Sequence, residues 1–284
     1  MILKMLTSAL FAGSAAGLLA ATLHFAFVQE AILLGEEYET GAATHFAGAA
    51  PNPAPDSPAT HGHDAAAEPA ATAPAEPAAP AAAAPAAPAA AAPAAPAAAA
   101  PAHDHTTHDH STADQGAEPS PVLRNALTAL FSGLAYIAYA LLLTAGFGVA
   151  ASFGKIITAR EGILWGIAGF AAFQLAPAMG LAPELPGTLA ADLTARQIWW
   201  TGTAAATATG LAMLGYGRGA GTAALAVALL AAPHLIGAPQ PEGFAGVAPP
   251  ELAAAFAARV LGVGLAVWAV LGWFAGRIWS STPT

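Results

Sequence analysis

The sequence predicts an all-α, polytopic helical membrane protein with about six transmembrane helices and one long disordered extracytoplasmic loop. Three observations lead there. Hydrophobic residues make up 56% of the chain and charged residues only 9%, far fewer charges than a water-facing surface carries. Several apolar runs approach the roughly 20 residues that cross ~30 Å of hydrocarbon as a helix. Between the first and second of these runs lies an Ala/Pro/His stretch unlike anything around it.

The first region, residues 1–40, holds the first span, read over about 6–28. Lys4 ahead of an apolar run also fits a signal peptide, but the run is long enough to stay as an uncleaved anchor. Gly13, Gly17, Ala20 or Ala21, and His24 share one helical face. Small residues there admit a neighbouring helix closely, so His24 is expected to face protein rather than lipid. Glu30, Glu36, Glu37 and Glu39 follow the span, and then His45.

The second region, residues 41–121, is the loop. Over residues 65–102 prolines recur too often for a helix, and such sequence favours extended polyproline-like chain at about 3.1 Å per residue. It lacks the apolar surface to build a core. His61 and His63 precede the spacer; His103, His105, His108 and His110 follow it, with Asp64, Asp104 and Asp109 among them.

The third region, residues 122–284, is expected to be a five-helix transmembrane bundle with spans near 126–153, 162–179, 199–214, 222–237 and 254–276. Gly162, Gly166 and Gly169, and the Gly13/Gly17 and Gly272/Gly276 pairs, are expected to serve helix packing. The turn from Gly180 to Gly187 contains Pro183 and Pro186, which cannot continue a helix. It sets Glu184 at the edge of the hydrophobic phase, with Asp192 and Arg196 close behind; the last two are expected to pair. Tryptophans read as interface anchors. Six spans put both termini on one side, where Lys4, Lys155, Arg160, Arg218 and Arg277 fall, against Arg124, Arg196 and Arg259 on the other. By the positive-inside rule both termini are cytoplasmic in a bacterial inner membrane, and the His-rich loop is periplasmic.

The chemistry follows from what is missing as much as from what is there. The chain has no cysteine, so any metal must be held by imidazole and oxygen, a donor set suited to divalent Co, Ni, Zn or Cu. The loop histidines, interleaved with aspartates, point to metal capture that weakens below an ordinary imidazole pKa of ~6.5; the plainer alternative is a solvated low-complexity tail. His24 and His234 lie near the same ends of their spans. Ionisable groups in spans usually face a cavity or partner, and a hydrogen bond to a neighbouring helix is the plainer role. Glu30 and Glu184 could complete an N/O ligand set with them. No Gly-rich phosphate loop, metalloprotease His pair or nucleophile motif is present, which argues against an ATPase and against an enzyme generally. A net charge of −9 argues against nucleic acid as a partner.

Several of these stretches together resemble the CbtA family of predicted bacterial cobalt transporter subunits. They are residues 6–38, the His-rich loop, residues 164–170, Leu175-Ala176-Pro177, residues 180–187, Arg196-Gln197-x-Trp199-Trp200 and residues 233–239. The resemblance implies cobalt uptake linked to cobalamin synthesis and a small single-span partner, CbtB, with its own His motif. It also implies cobalt contacts at His24, the loop histidines, Glu184 and His234. About five spans are usual for the family, against six here, and the Ala/Pro spacer is longer than the family loop. The expected function is therefore a membrane permease component for divalent cobalt, with an outer His-rich loop and an outer-vestibule His/Glu site. A non-transporting membrane buffer or sensor for Co, Ni or Zn is the alternative, and an anchor displaying an extended loop is a third reading. The lipid bilayer and a CbtB-like subunit are the expected partners, with a homo-oligomer also open.

Overall fold

A computed structural model of the chain describes residues 1–45 and 120–282. The described residues form helices and no strand; one backbone bridge joins Thr188 to Gly246. Helix α1 (Ile2–Leu23), a π-turn (His24–Val28) and α2 (Gln29–Glu39) make one continuous rod. Next come α3 (Pro121–Ser152) and a second composite rod of α4 (Ala159–Phe170), a π-turn (Ala171–Leu175) and α5 (Ala176–Ala178). Helices α6 (Leu193–Tyr216), α7 (Ala220–Ile236) and α8 (Pro250–Ser281) complete six rods among the described residues. Residues 2–39, α3 and α8 are each long and apolar enough to cross a membrane, and α7 is a shorter apolar helix.

Local chemistry sets the rod ends, which is why most rods overrun their apolar runs. Ser120 accepts a hydrogen bond from the Leu123 N–H at 3.3 Å and Pro121 opens α3, a favoured pairing because the first helical N–H has no partner in any case. Thr158 and Glu161 form a capping box on α4. Asp192 Oδ1 accepts from the Ala195 N–H at 2.8 Å to start α6. Gly219 and Gly237, at φ +87° and +86°, turn the chain at either end of α7, a conformation that costs a side-chain-bearing residue energy. The second π-turn has a local cause. Pro177 has no N–H, and its ring would press on the Phe173 carbonyl four residues back in a regular helix; widening that turn relieves the clash.

Packing is small-inside and large-outside. Along α1 the buried positions are Ser8, Ala9, Ala12, Gly13, Ala16, Gly17, Ala20 and Ala21, while Leu6, Leu10, Phe11 and Leu18 are exposed. Lipid tails are as apolar as leucine, so helices in a bilayer gain little from hiding leucines and more from close backbone contact. Gly17 lies on Gly133 of α3, and a Cβ at Gly13 would come within 2.5 Å of the Ile137 Cα. Gly162 and Gly166 of α4 lie against Gly272 and Gly276 of α8, where any Cβ would run into backbone carbonyls; Gly169 clears room for the Trp268 ring. The expected glycine packing is present at every one of these positions.

Helix α8 is the hub, touching α1, α3 and α4, while α6 and α7 pair with each other and lean on the α4–α5 rod through α6. Aromatic side chains fill the space left between rods. Phe173 stacks on Trp268 with centroids 5.9 Å apart, and Tyr139 sits 4.9 Å from the same indole. Phe147 bridges Trp165 and Trp279. The two ends of the bundle are chemically distinct. At the terminal end Lys4 lies 5.1 Å over the Trp279 ring, which brings the start of α1 to the finish of α8. At the loop end Arg124 pairs with Glu36 at 3.3 Å and Gln29 bonds Asn125 at 3.2 Å.

Gly166→Leu should therefore lower thermal stability in detergent by about 1–3 kcal/mol or more, because the neighbouring atoms are backbone and cannot yield. Gly262→Ala, where nothing lies within 4 Å, should leave the melting temperature unchanged or slightly raised. Equal losses in the two variants would contradict the glycine seam.

Candidate metal site at the loop end

The Gly180–Gly187 turn is clamped from several sides. Gly180 fits between Trp199 and Ala238, and Leu185 and Pro186 sit against Gly35 of α2. Gly187, at φ +74°, abuts Glu39 and Val247. Leu185 is buried in a small cluster with Val28, Ala31 and Phe256. The turn is thus held by α2, α6, α8 and the segment after α7, and its one carboxylate is presented at a fixed place.

That carboxylate is Glu184, and its partner is Arg196, with Nη2 donating to Oε2 at 2.9 Å. The expected Asp192–Arg196 pair does not form. Asp192 is the N-cap of α6, so its side chain curls onto its own helix, while Arg196 one turn later reaches back to the turn. The Arg196 and Glu184 side chains are about one-third exposed, 28% and 32%, so solvent screens much of their attraction.

Two open cavities flank Glu184 and share the wall Leu181-Ala182-Pro183-Glu184. The first, about 770 Å³, is lined by His45, Glu184, Thr188, Gln240 and Pro250 among others. His45 and Glu184, far apart in sequence, thus face one space. The second, about 820 Å³, runs from Glu184, Arg196 and Gln197 inward to Phe173 and Gln174.

The remaining expected ligands are distributed around the same end. His24 opens the first π-turn and is half-buried. Its carbonyl accepts the Gln29 N–H, and Arg259 of α8 donates to the Phe27 carbonyl at 3.4 Å. A permanent positive charge therefore lies beside the turn that His24 begins. His234 lies in the last turn of α7, edge-on to Trp199 with centroids 6.3 Å apart, and Trp199 Nε1 donates to the Pro233 carbonyl at 3.2 Å. Helices α1 and α7 do not touch, so the two imidazoles share an end of the bundle on rods that are not neighbours. Glu30 is exposed in the first turn of α2. His61, His63, His103, His105, His108 and His110 lie outside the described residues. Among the described residues no three His, Asp or Glu side chains gather closely enough to hold a metal ion.

One polar group escaped the sequence reading. Gln174 sits in the second π-turn, its Oε1 buried without a hydrogen-bond partner and lodged over Gly264 of α8. A buried amide oxygen without a partner is costly, so its position at the inner end of the 820 Å³ cavity is a candidate functional feature. The signal was available: Gln174 is the lone amide in the apolar run of residues 162–179.

Residues 75–280 match the family model described as "Probable cobalt transporter subunit (CbtA)". No curated protein and no solved structure matches the chain.

Because the Glu184–Arg196 pair is partly exposed, Glu184→Gln and Arg196→Gln should each lower stability by less than about 1 kcal/mol, with a double-mutant coupling of roughly 0.2–1 kcal/mol. Denaturation in detergent measures both. A much larger coupling would mean the pair holds the turn in place.

Proposed function

The chain belongs to the CbtA family of probable cobalt transporter subunits, and from that premise we propose that it is the membrane permease component of a divalent cobalt uptake system. The observation that carries this reading to particular residues is that His45 and Glu184 line one cavity, at the end of the bundle where the His-rich segment leaves and returns. On this reading that end faces the periplasm, both termini are cytoplasmic and all six rods span the inner membrane.

The loop histidines capture the ion, and His45 with Glu184 begins the vestibule site. One imidazole and one carboxylate make half of an N/O set, and the loop supplies the remaining ligands. Because the loop is tethered at residues 45 and 120, it presents those ligands at high effective concentration. Arg196 holds Glu184 through Oε2, which leaves the other carboxylate oxygen for the dication. His24, His234 and Glu30 add donors on the surrounding rods. Beyond them the unpartnered Gln174 oxygen offers a neutral ligand deeper in. The donor set also accepts Ni²⁺ and Zn²⁺. The family description as a subunit supports a complex, and we assign its other member to a small single-span CbtB-like protein with its own His motif, serving cobalamin synthesis. Nothing in this mechanism requires the chain to act as an enzyme.

Cobalt accumulation in cells expressing the protein tests the proposal. Glu184→Gln and His45→Ala should each raise the half-saturating cobalt concentration about tenfold, the loss of a ligand worth ~1.4 kcal/mol. His24→Ala and His234→Ala should lower uptake, and Gln174→Leu should lower the maximal rate. Deletion of residues 61–110 should weaken apparent affinity and leave the maximal rate in place. Unchanged uptake in the point variants, with accumulation lost only on loop deletion, would replace transport with a metal-buffering role.

A further inference from the structure

Helices α3, α4 and α6 separate along the terminal half of the bundle and leave an apolar cleft of about 510 Å³. Its walls include Leu142, Leu143, Leu164, Ala168, Leu211 and Trp268. Leu142 and Leu164 are 55% and 63% exposed, so the cleft opens sideways to the surroundings of the bundle. Its lining suits hydrocarbon. A hydrated dication would lose its water there and find only Glu161 as a charged ligand, and that carboxylate is engaged in the Thr158 capping box.

Basic residues stand on the segments that border the cleft at its terminal end. Tyr216 closes it at the end of α6, with the Trp165 ring 6.1 Å away and Lys155 Nζ 5.7 Å from its centroid. Arg160 lies in the first turn of α4, and Arg218 follows Tyr216 by two residues. Among the described residues the ion pairs are Arg124–Glu36 and Arg196–Glu184, so Lys155, Arg160 and Arg218 carry charge without an acidic partner. Three cations against one engaged carboxylate favour an anionic head group.

The lining runs along the α4–α5 rod from Glu161 to Phe173, roughly 18 Å at ~1.5 Å per residue. An apolar groove of that length, open along its side and with basic residues at one end, suits an acyl chain continued by a charged head group.

We propose that this cleft binds one anionic phospholipid, its acyl chain along the α3/α4/α6 walls and its phosphate at Lys155, Arg160 and Arg218. The proposal requires the bundle to lie in a bilayer and is independent of whether it carries cobalt.

The test uses the full chain in a neutral detergent, with phosphatidylglycerol or phosphatidylcholine added at matched mole fraction. Thermal unfolding reads stabilisation by a ligand that binds the native state, and native mass spectrometry counts retained lipid. Phosphatidylglycerol should raise the melting temperature and leave one lipid bound; phosphatidylcholine should do neither. The triple variant Lys155→Gln/Arg160→Gln/Arg218→Gln should need on the order of 100-fold more phosphatidylglycerol, about one tenfold step per 1.4 kcal/mol across three charges. Lys4→Gln/Arg277→Gln, at the same end away from the cleft, should behave as wild type. Ala168→Phe/Ala212→Phe fills the slot and should abolish lipid retention with all three cations in place; occupancy remains readable even where its own stability falls. Equal responses to the two lipids, or a triple variant that keeps the phosphatidylglycerol response, would overturn the site. So would glycerol phosphate protecting as well as the whole lipid, since no acyl chain would then be needed.

Discussion

Backbone-to-backbone contact between α4 and α8 is the constraint on which the rest of the bundle depends. Gly162 and Gly166 meet Gly272 and Gly276 so closely that a single methyl group would strike a carbonyl. In water a helix pair is driven together by burying large apolar side chains. In hydrocarbon that force is absent, and contact energy must come from dispersion between surfaces that fit tightly. The chain accordingly turns its alanines and glycines inward and leaves Leu10, Phe11, Leu18, Leu130 and Phe131 exposed. The same logic seats α1 on α3 through Gly13 and Gly17.

With α4 locked on α8, the placement of the loop end follows. The α4–α5 rod cannot slide, so Pro177 is accommodated by widening one turn rather than by bending the rod away. That π-turn aims Gln174 over Gly264 and sets Phe173 on Trp268. Just beyond it the Gly180–Gly187 turn is caught between α2 and the segment after α7, and Glu184 is delivered to the wall shared by two cavities. A seam of glycines at one end of the rod thus fixes a carboxylate at the other.

Sequence periodicity and hydropathy revealed the rods and the glycine seams, because both are repeating, local properties. The rod ends were less legible, since caps such as Ser120 and Asp192 extend a helix beyond its apolar run. Ionic pairing was misread for a related reason. Asp192 and Arg196 are one helical turn apart and invite pairing on paper, yet an N-cap carboxylate is already committed to its own backbone, and only the folded turn brings Glu184 within 2.9 Å of Arg196. Neither π-turn was anticipated. The second can be traced to Pro177; the first contains no proline, and the Arg259 contact with the Phe27 carbonyl joins residues too far apart for any local pattern to reveal. The cavity shared by His45 and Glu184 is of the same kind, a product of tertiary placement.

The described acidic and basic residues separate along the bundle axis, and this separation links the two proposed sites. Glu30, Glu36, Glu37, Glu39, Glu184, Asp192, Glu242 and Glu251 cluster toward the loop end, against Arg124, Arg196 and Arg259. Lys4, Lys155, Arg160, Arg218 and Arg277 collect at the terminal end, against Glu161. Such a field draws a dication to the loop end and raises its local concentration there. If the chain carries the ion as proposed, the same field opposes its departure from the terminal end, where Lys155, Arg160 and Arg218 repel it. An anionic phosphate held at Lys155, Arg160 and Arg218 neutralises part of that barrier and leaves the attraction at the loop end intact. On the proposed reading the lipid is therefore more than an occupant of a groove: it lowers the electrostatic cost of releasing the ion on the far side.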